Sequence, residues 1–255
     1  MVIGIEEFRN YFRDYAANYV IIGRTACDII IEEAGFTPRA TKDIDIILIV
    51  EALSEDFVKK FWEFITDANY QRQEKSSDDN KYYRFINPEN KDFPLQIELF
   101  SKVPELLDIY DNAHLTPIPV DDDLSSLSAI LMNDDYYHYT IEHSSVEDGV
   151  NIANNEALIC LKAKAFLDMT ERKQNGEHID ERNIRKHKTD IFRLAVLLTD
   201  SDVFILPESI KLDFQNVIEK LTDSLPDKII YKNMGLGNID INKVFDQIIS
   251  NFNLK

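Results

Sequence analysis

The residues of this chain best suited to chemistry are two aspartates, Asp43 and Asp45, which are separated by one isoleucine. They lie in an apolar segment that predicts a β-strand, where side chains two residues apart project to the same face. Because two adjacent anions repel each other, a cation between them stabilises the pair. Mg²⁺ and similar hard cations prefer carboxylate oxygens and often bridge to substrate phosphates. The two aspartates therefore predict a divalent-cation site.

A phosphate-binding segment is predicted shortly before the aspartates. Residues 19–22 predict a short strand, Gly23 predicts a turn, and residues 25–34 predict a helix. Backbone N–H groups at a glycine turn and at a helix N-terminus attract phosphate groups. We therefore expect Gly23, Arg24 and Thr25 to hold the phosphates of a nucleotide near the aspartates.

Glu98 is the candidate third carboxylate. Residues 95–100 alternate as a strand does, with Gln96 and Glu98 on one face. A carboxylate within an apolar strand is costly to bury unless a cation lies nearby, which favours a metal ligand. The alternative is an exposed glutamate on an edge strand.

The order of glycine turn, aspartate pair and later carboxylate resembles the nucleotidyltransferase fold of the DNA polymerase β superfamily. It is most similar to the bacterial abortive-infection toxins of the AbiEii type, whose motifs read roughly G-G-T-A and R-x-S/T-x-D-I-D-L. The corresponding segments here are Gly23-Arg24-Thr25-Ala26 and Arg39-Ala40-Thr41-Lys42-Asp43-Ile44-Asp45-Ile46. This chain departs from the pattern at Arg24, which stands where the second glycine usually lies, and in a longer spacer.

The resemblance implies transfer of an NMP from an NTP to a hydroxyl acceptor. Asp43 and Asp45 would bind two Mg²⁺ ions, or Mn²⁺ in their place, and Glu98 would bind one ion and deprotonate the acceptor. Arg39 and Thr41 would contact the nucleotide, with Arg39 balancing the carboxylates or binding a phosphate and Thr41 capping a turn. The family further implies a toxin or phage-defence protein, with an RNA or tRNA 3′ end as acceptor and an antitoxin as partner.

Two more candidates lie in the second half of the chain. Lys162 and Ala165 are similar to the K-x-x-A motif of AbiEii-type proteins, whose lysine contacts the triphosphate, and the helical pattern directs Lys162 inward. Asp190 lies in a segment that resembles the family's R/K-D-L-Y-D-L element, with Arg193 in place of the second aspartate. Asp190 would orient Lys162 or contact the base or sugar. The alternatives are a lysine lying along the core and an ordinary acid in a first helical turn.

Composition limits the partners. The chain has 255 residues and a net charge of -18, which opposes the binding of a long nucleic acid through many phosphate contacts. One concentrated positive patch, at 182–188, is predicted either to contact an RNA locally or to be a solvated helix start. Its cations are Arg182, Arg185, Lys186 and Lys188.

Several features predict a cytoplasmic protein without a membrane segment. No apolar run approaches the roughly 20 residues of a membrane span. The N-terminal residues lack the basic and apolar regions of a signal peptide. Both cysteines, Cys27 and Cys160, lie in apolar periodic segments and are predicted to be reduced core residues.

The pattern of elements predicts a mixed-sheet α/β nucleotidyltransferase domain at 1–150 and a mainly helical domain at 151–255 that closes the active-site cleft. Two other functions remain as alternatives. Arg24 and Arg193 suggest a catalytically weakened member that binds a nucleotide or a protein. The third function is a small-molecule nucleotidyltransferase of the aminoglycoside type.

Overall fold

The computed structural model describes residues 2–77, 80–100, 130–131 and 133–255. An extended segment predicted at 115–120 lies outside the described residues, as does a short helix predicted at 125–132 apart from residues 130 and 131. The chain divides into two compact units. The described residues of the first, which we call the sheet unit, fall within 2–29, 39–100 and 144–153; those of the second, the helical unit, fall within 30–38, 130–143 and 154–255.

The described elements follow one another in this order: α1 Ile5–Phe12, β1 Tyr19–Ile22, α2 Gly23–Glu33, β2 Asp43–Leu48, α3 Glu55–Asp67, β3 Gln71–Ser77, β4 Asn80–Ile86, β5 Gln96–Phe100, α4 Asp134–Glu142, β6 Ser144–Glu147, β7 Val150–Ala153, α5 Asn155–Gln174, α6 Glu181–Ala195, α7 Glu208–Thr222, α8 Ile229–Asn233 and α9 Ile241–Asn251. Single 3-10 segments follow α1 and β2.

The strands form one seven-stranded sheet in the order β3-β4-β5-β2-β1-β7-β6. Its pairings are mixed, since β2 runs parallel to β5 but antiparallel to β1, and β7 runs parallel to β1 but antiparallel to β6. Strand β1 is buried along its whole length, as expected for the centre of a sheet. The predicted class, a mixed-sheet α/β region followed by a mainly helical one, is confirmed.

Aromatic side chains of α1 and α3 fill the core of the sheet unit. Phe8 and Phe12 of α1 pack against Phe64 of α3, with ring centroids 5.9 and 5.2 Å apart. Both also contact Tyr19, the first residue of β1. Burial of such large rings contributes strongly to stability. This packing therefore anchors β1, whose end leads directly into Gly23.

The two compact units are not divided at residue 150, because β7 lies in the sheet unit and α4 in the helical unit. The functional domains expected at 1–150 and 151–255 stay a prediction. The structure corrects two local predictions. A strand was expected at 141–146, but α4 continues to Glu142. The helix is capped at its start by Asn133, whose side chain accepts hydrogen bonds from the backbone N–H groups of Asp135 and Tyr136. Residues 75–77 and 80, which were expected in a polar turn, instead belong to the paired strands β3 and β4, because an edge strand tolerates polar residues.

The predicted helices of the second half are observed with shifted ends. Helix α6 begins at Glu181 rather than near residue 187, because the Asp180 side chain accepts a hydrogen bond from the backbone N–H of Arg182 and caps the helix. The hairpin predicted at Asp148-Gly149 is present between β6 and β7. In the part of the chain that the structure describes, no helix is long and apolar enough to span a membrane.

Candidate functional site

Three carboxylates lie on adjacent strands of the sheet unit. Asp43 and Asp45 stand two residues apart on β2, and the register pairs Asp45 with Glu98 on the parallel strand β5. Side chains of paired residues project from the same face of a sheet, so all three carboxylates share one face. Asp43 is exposed, Asp45 is half-buried and Glu98 is buried. The structure thus places the three predicted catalytic residues, which we call the carboxylate cluster, on one face of two neighbouring strands.

Two neighbours that sequence reasoning did not select hold Glu98. Its Oε1 atom accepts hydrogen bonds from Arg84 Nε at 2.7 Å and from Gln96 Nε2 at 2.8 Å. Arg84 Nη2 also lies 2.6 Å from the same oxygen. Gln96 could have been predicted as a neighbour of Glu98, because the period-two pattern places both on one face of the strand. Arg84 could not, because it becomes a neighbour only through the pairing of β4 with β5.

Gly23 lies against the carboxylate of Asp45. It starts α2 directly after β1, and its φ of +67° is in the left-handed region that favours glycine. A Cβ atom built on Gly23 would lie 1.8 Å from Asp45 Oδ2. Both the backbone conformation and this contact therefore favour glycine at position 23, and the predicted turn lies against Asp45.

The two residues after Gly23 have different environments. Thr25 is fully buried, and its hydroxyl donates a hydrogen bond of 2.5 Å to the backbone carbonyl of Asp43. This bond links α2 to the start of β2, and contact of Thr25 with a phosphate stays a prediction. Arg24 is half-buried, and its guanidinium makes no hydrogen bond or ion pair with another described residue.

Arg39 and Thr41 lie in the segment that leads into β2. The backbone N–H of Arg39 donates to Oδ1 of the buried Asp28 at 3.2 Å. Thr41 is only 3% exposed, and its carbonyl accepts a hydrogen bond from the Ile3 N–H. The Thr41 side chain is therefore buried within this segment, and contact of Arg39 or Thr41 with a nucleotide stays a prediction.

The donors of the cluster partly fit a divalent cation. Mg²⁺ is commonly bound by one or two carboxylates together with substrate phosphates, and Asp43 and Asp45 supply such carboxylates. Within the described ranges, no three His, Cys, Asp or Glu side chains are grouped so that they could hold a metal ion. Because Arg84 and Gln96 already bind one Glu98 oxygen, metal binding by Glu98 stays a prediction.

The helical unit contains a buried ion pair between the two candidates of the second half. Lys162 on α5 and Asp190 on α6 are 6% and 5% exposed, and Lys162 Nζ lies 3.4 Å from Asp190 Oδ2. Of the roles considered for Asp190, orienting Lys162 agrees with this contact. The i,i+4 spacing of Lys164 and Asp168 predicts a surface ion pair. In the structure, Lys164 Nζ instead lies 2.8 Å from Oδ2 of Asp213 on α7.

The cations of the predicted positive patch differ in their contacts and burial. Arg182 is bound to the neighbouring Asp180, with Nη2 2.6 Å from Oδ2. Arg185 and Lys188 line a cavity together with Lys173 of α5. Lys186 is half-buried and does not line that cavity. The four cations that are close in sequence are therefore divided between different surroundings.

The cysteines are not candidates for chemistry. Cys27 and Cys160 are both buried and do not form a disulfide with each other. Burial, with a smaller contribution from the charge of Glu156, raises the pKa of the Cys160 thiol far above its usual value. The thiol is therefore protonated at neutral pH and is a poor nucleophile or metal ligand.

The fold and the site together define an α/β protein that has a mixed sheet and a carboxylate cluster beside a glycine turn. No family model matches the sequence, and no curated protein matches it either. A comparison with solved structures finds the crystal structure of an antigenic nucleotidyltransferase-like protein from Paracoccidioides brasiliensis. It is 13% identical, the alignment covers 91% of this chain and 99% of that chain, and the TM-score is 0.40. This likeness is too distant to assign the chain to a family, so the AbiEii resemblance stays a prediction.

Proposed function

We propose that this chain is a nucleotidyltransferase that moves an NMP from an NTP to a hydroxyl acceptor, with Mg²⁺ held by Asp43 and Asp45. The contact of Gly23 with Asp45 carries the proposal. It places the start of α2, where N–H groups favour phosphate, beside the Asp45 carboxylate, and Asp43 lies on the same face of β2. A metal-bound triphosphate is the ligand that satisfies both features at once.

Residues around the turn have distinct proposed tasks. Gly23 leaves the space into which Asp45 extends, and Thr25 holds the strand that carries Asp43. Arg24, whose guanidinium has no partner among the described residues, binds a phosphate oxygen in the place of the missing second glycine. When bound, Mg²⁺ would neutralise charge on the triphosphate.

Glu98 and Lys162 keep roles that follow from the family resemblance. Glu98, beside Asp45 in the sheet, accepts the proton of the attacking hydroxyl. Lys162 contacts the triphosphate and neutralises the departing pyrophosphate, while Asp190 holds its ammonium group. We propose an RNA 3′ end as the acceptor and a role as a toxin or phage-defence component, on the same resemblance.

The test is transfer of label from α-labelled NTPs to total RNA in the presence of Mg²⁺. We expect the wild-type chain to label RNA, and Asp43→Asn or Asp45→Asn to lower the rate of transfer at least about a hundredfold. Loss of a residue that only supports a metal ligand costs about 10–100-fold in activity, and loss of the ligand itself should cost at least as much. Asp14→Asn is the matched control, since Asp14 is an exposed aspartate of the sheet unit outside the cluster. Equal transfer by Asp43→Asn and the wild type would contradict the proposal.

A second candidate function is nucleotide binding without transfer. It is favoured by the hydrogen bonds from Arg84 and Gln96 that occupy Glu98 Oε1, because a base engaged in this way accepts a proton poorly. Equilibrium dialysis with the same NTPs separates the two functions. NTP that binds in an Asp43-dependent manner, while no acceptor becomes labelled, would support this second candidate.

A further inference from the structure

A cavity of about 530 Å³ lies in the helical unit, lined by the last turns of α5 and the first turns of α6. Three of its lining residues are the cations Lys173, Arg185 and Lys188, and one is the acid Glu181. The lining thus carries an excess of positive charge in a chain whose net charge is -18. Its volume falls within the roughly 300–1,000 Å³ of pockets that bind small molecules.

The cations of this cavity are not neutralised equally. Lys173 contacts the carboxylate of Glu181. Arg185 is exposed, and its guanidinium makes no hydrogen bond or ion pair with another residue in the described ranges. Lys188 donates to the backbone carbonyl and hydroxyl oxygens of Ser224, at 3.0 and 2.9 Å, which are neutral acceptors. Among the described residues, no carboxylate therefore forms an ion pair with Arg185 or Lys188, although the charge of Glu181 interacts with Arg185 without a direct contact.

The electrostatic environment of Lys188 agrees with this arrangement. Burial, followed by the positive charge of Arg185, lowers the pKa of the Lys188 ammonium group below its usual value. An anion between the two side chains would offset both effects, since it supplies charge and hydrogen-bond acceptors. Arginine also offers a planar pair of donors that matches a phosphate group.

We propose that this cavity binds a phosphate ester of nucleotide size, with Arg185 and Lys188 as its phosphate ligands. Lys173 and the side-chain amide of Gln174, which lie on the α5 side of the lining, would contact the remainder of the ligand. Free mononucleotides and the terminal phosphate of an RNA strand both carry this group. The site uses no residue of the carboxylate cluster and does not depend on the proposed transfer reaction.

The proposal can be tested by isothermal titration calorimetry on the full chain, with EDTA present so that no divalent cation contributes. The probes are AMP, adenosine and a short RNA with or without a 5′-phosphate. We expect AMP to bind more tightly than adenosine, and Arg185→Gln to weaken AMP binding roughly tenfold or more, the effect of losing a charged hydrogen bond. Tighter binding of the 5′-phosphorylated RNA than of AMP would identify an RNA end as the source of the phosphate.

Arg182→Gln is the matched control, because it removes the same charge from the same helix at a side chain that is 84% exposed and outside the cavity. Asp14→Asn should leave AMP binding unchanged, because Asp14 is exposed and lies outside both the cavity and the carboxylate cluster. If Arg182→Gln and Arg185→Gln weakened AMP binding equally, the phosphate would be attracted by the general positive charge of this helix rather than by the cavity, and the proposal would be overturned. Equal affinities for AMP and adenosine would overturn it as well. Thermal unfolding of Arg185→Gln shows whether the variant is folded.

Discussion

At the scale of single residues, Gly23 and Arg84 shape the carboxylate cluster although neither is a carboxylate. Gly23 makes room for Asp45, since any Cβ atom there would overlap Oδ2. Arg84 neutralises Glu98, and the two side chains are 13% and 9% exposed. A buried carboxylate without a partner would be strongly destabilising, so Arg84 accounts for the presence of Glu98 at this place. The same ion pair restrains Glu98, which is why its role as a base needs its own test.

We predict that Gly23→Ala is more destabilising than Gly35→Ala. Both glycines have positive φ angles, +67° and +81°, so both substitutions place alanine in a conformation that costs about 1–2 kcal/mol. A Cβ at position 35 meets nothing within 4 Å, whereas one at position 23 would lie 1.8 Å from Asp45 Oδ2. Urea unfolding of the two variants measures the difference. Equal free energies of unfolding would show that Asp45 moves aside without cost.

At the scale of elements, strand register decides which polar side chains become neighbours. The parallel pairing of β2 with β5 sets Asp45 beside Glu98, and the antiparallel pairing of β5 with β4 sets Glu98 beside Arg84. A slip of one residue would move Glu98 to the opposite face of the sheet. Helix packing has the same effect in the helical unit, where α5 and α6 bring Lys162 and Asp190 together.

We predict that the Lys162–Asp190 pair shows strong coupling in a double-mutant cycle. Lys162→Met leaves the buried Asp190 carboxylate without this partner, and Asp190→Asn does the same to the Lys162 ammonium. Each single change should lower the free energy of unfolding by about 3–5 kcal/mol. The double variant removes both charges of this pair, so its loss of unfolding free energy should be smaller than the sum of the two single losses.

Chemical denaturation of the wild type, both single variants and the double variant provides this cycle. Lys164→Met is a useful comparison, since Lys164 pairs with Asp213 at a site where the two side chains are 28% and 23% exposed. That variant should lose less stability, because solvent weakens the interaction of more exposed charges. Additive effects in the cycle would contradict a coupled buried pair.

At the scale of the whole molecule, negative charge is the dominant feature. A net charge of -18 makes the charges of the chain repel one another at neutral pH, which favours expansion of the chain. Positive charge is concentrated locally, as in the cavity lined by Lys173, Arg185 and Lys188. Such a molecule would recognise a phosphate group through a small site rather than through a broad basic surface.

We predict that NaCl raises the melting temperature at neutral pH. Salt at about 0.15 M shortens the screening length to roughly 8 Å and so weakens the repulsion between like charges. The effect should shrink as the pH approaches the isoelectric point of about 4.6, where the net charge vanishes. Differential scanning calorimetry at several salt concentrations, repeated at both pH values, tests this. A melting temperature that does not respond to salt at neutral pH would show that local attractive pairs cancel the repulsion.

Much of the fold was predictable because its signals are local. The period-two pattern around Glu98 and the helical spacing after residue 155 can each be read from a few neighbouring residues. The turn at Asp148-Gly149 is indicated by two adjacent residues alone. The helix α4 was missed because its tyrosines, Tyr136, Tyr137 and Tyr139, are common in strands as well. The membership of β7 in the sheet was not predictable from local pattern, since it depends on pairing with β1, far away in the chain.

The amino-acid sequence alone determined that Asp43 and Asp45 share a face, because alternation along a strand is a property of the backbone. It also determined that a glycine turn precedes them. Only the tertiary structure decided that Asp45 touches Gly23, that Arg84 holds Glu98, and that Lys173 meets Arg185 at one cavity. Such contacts join segments that are distant in the chain, and their partners are selected by strand register and helix packing, which no local pattern encodes.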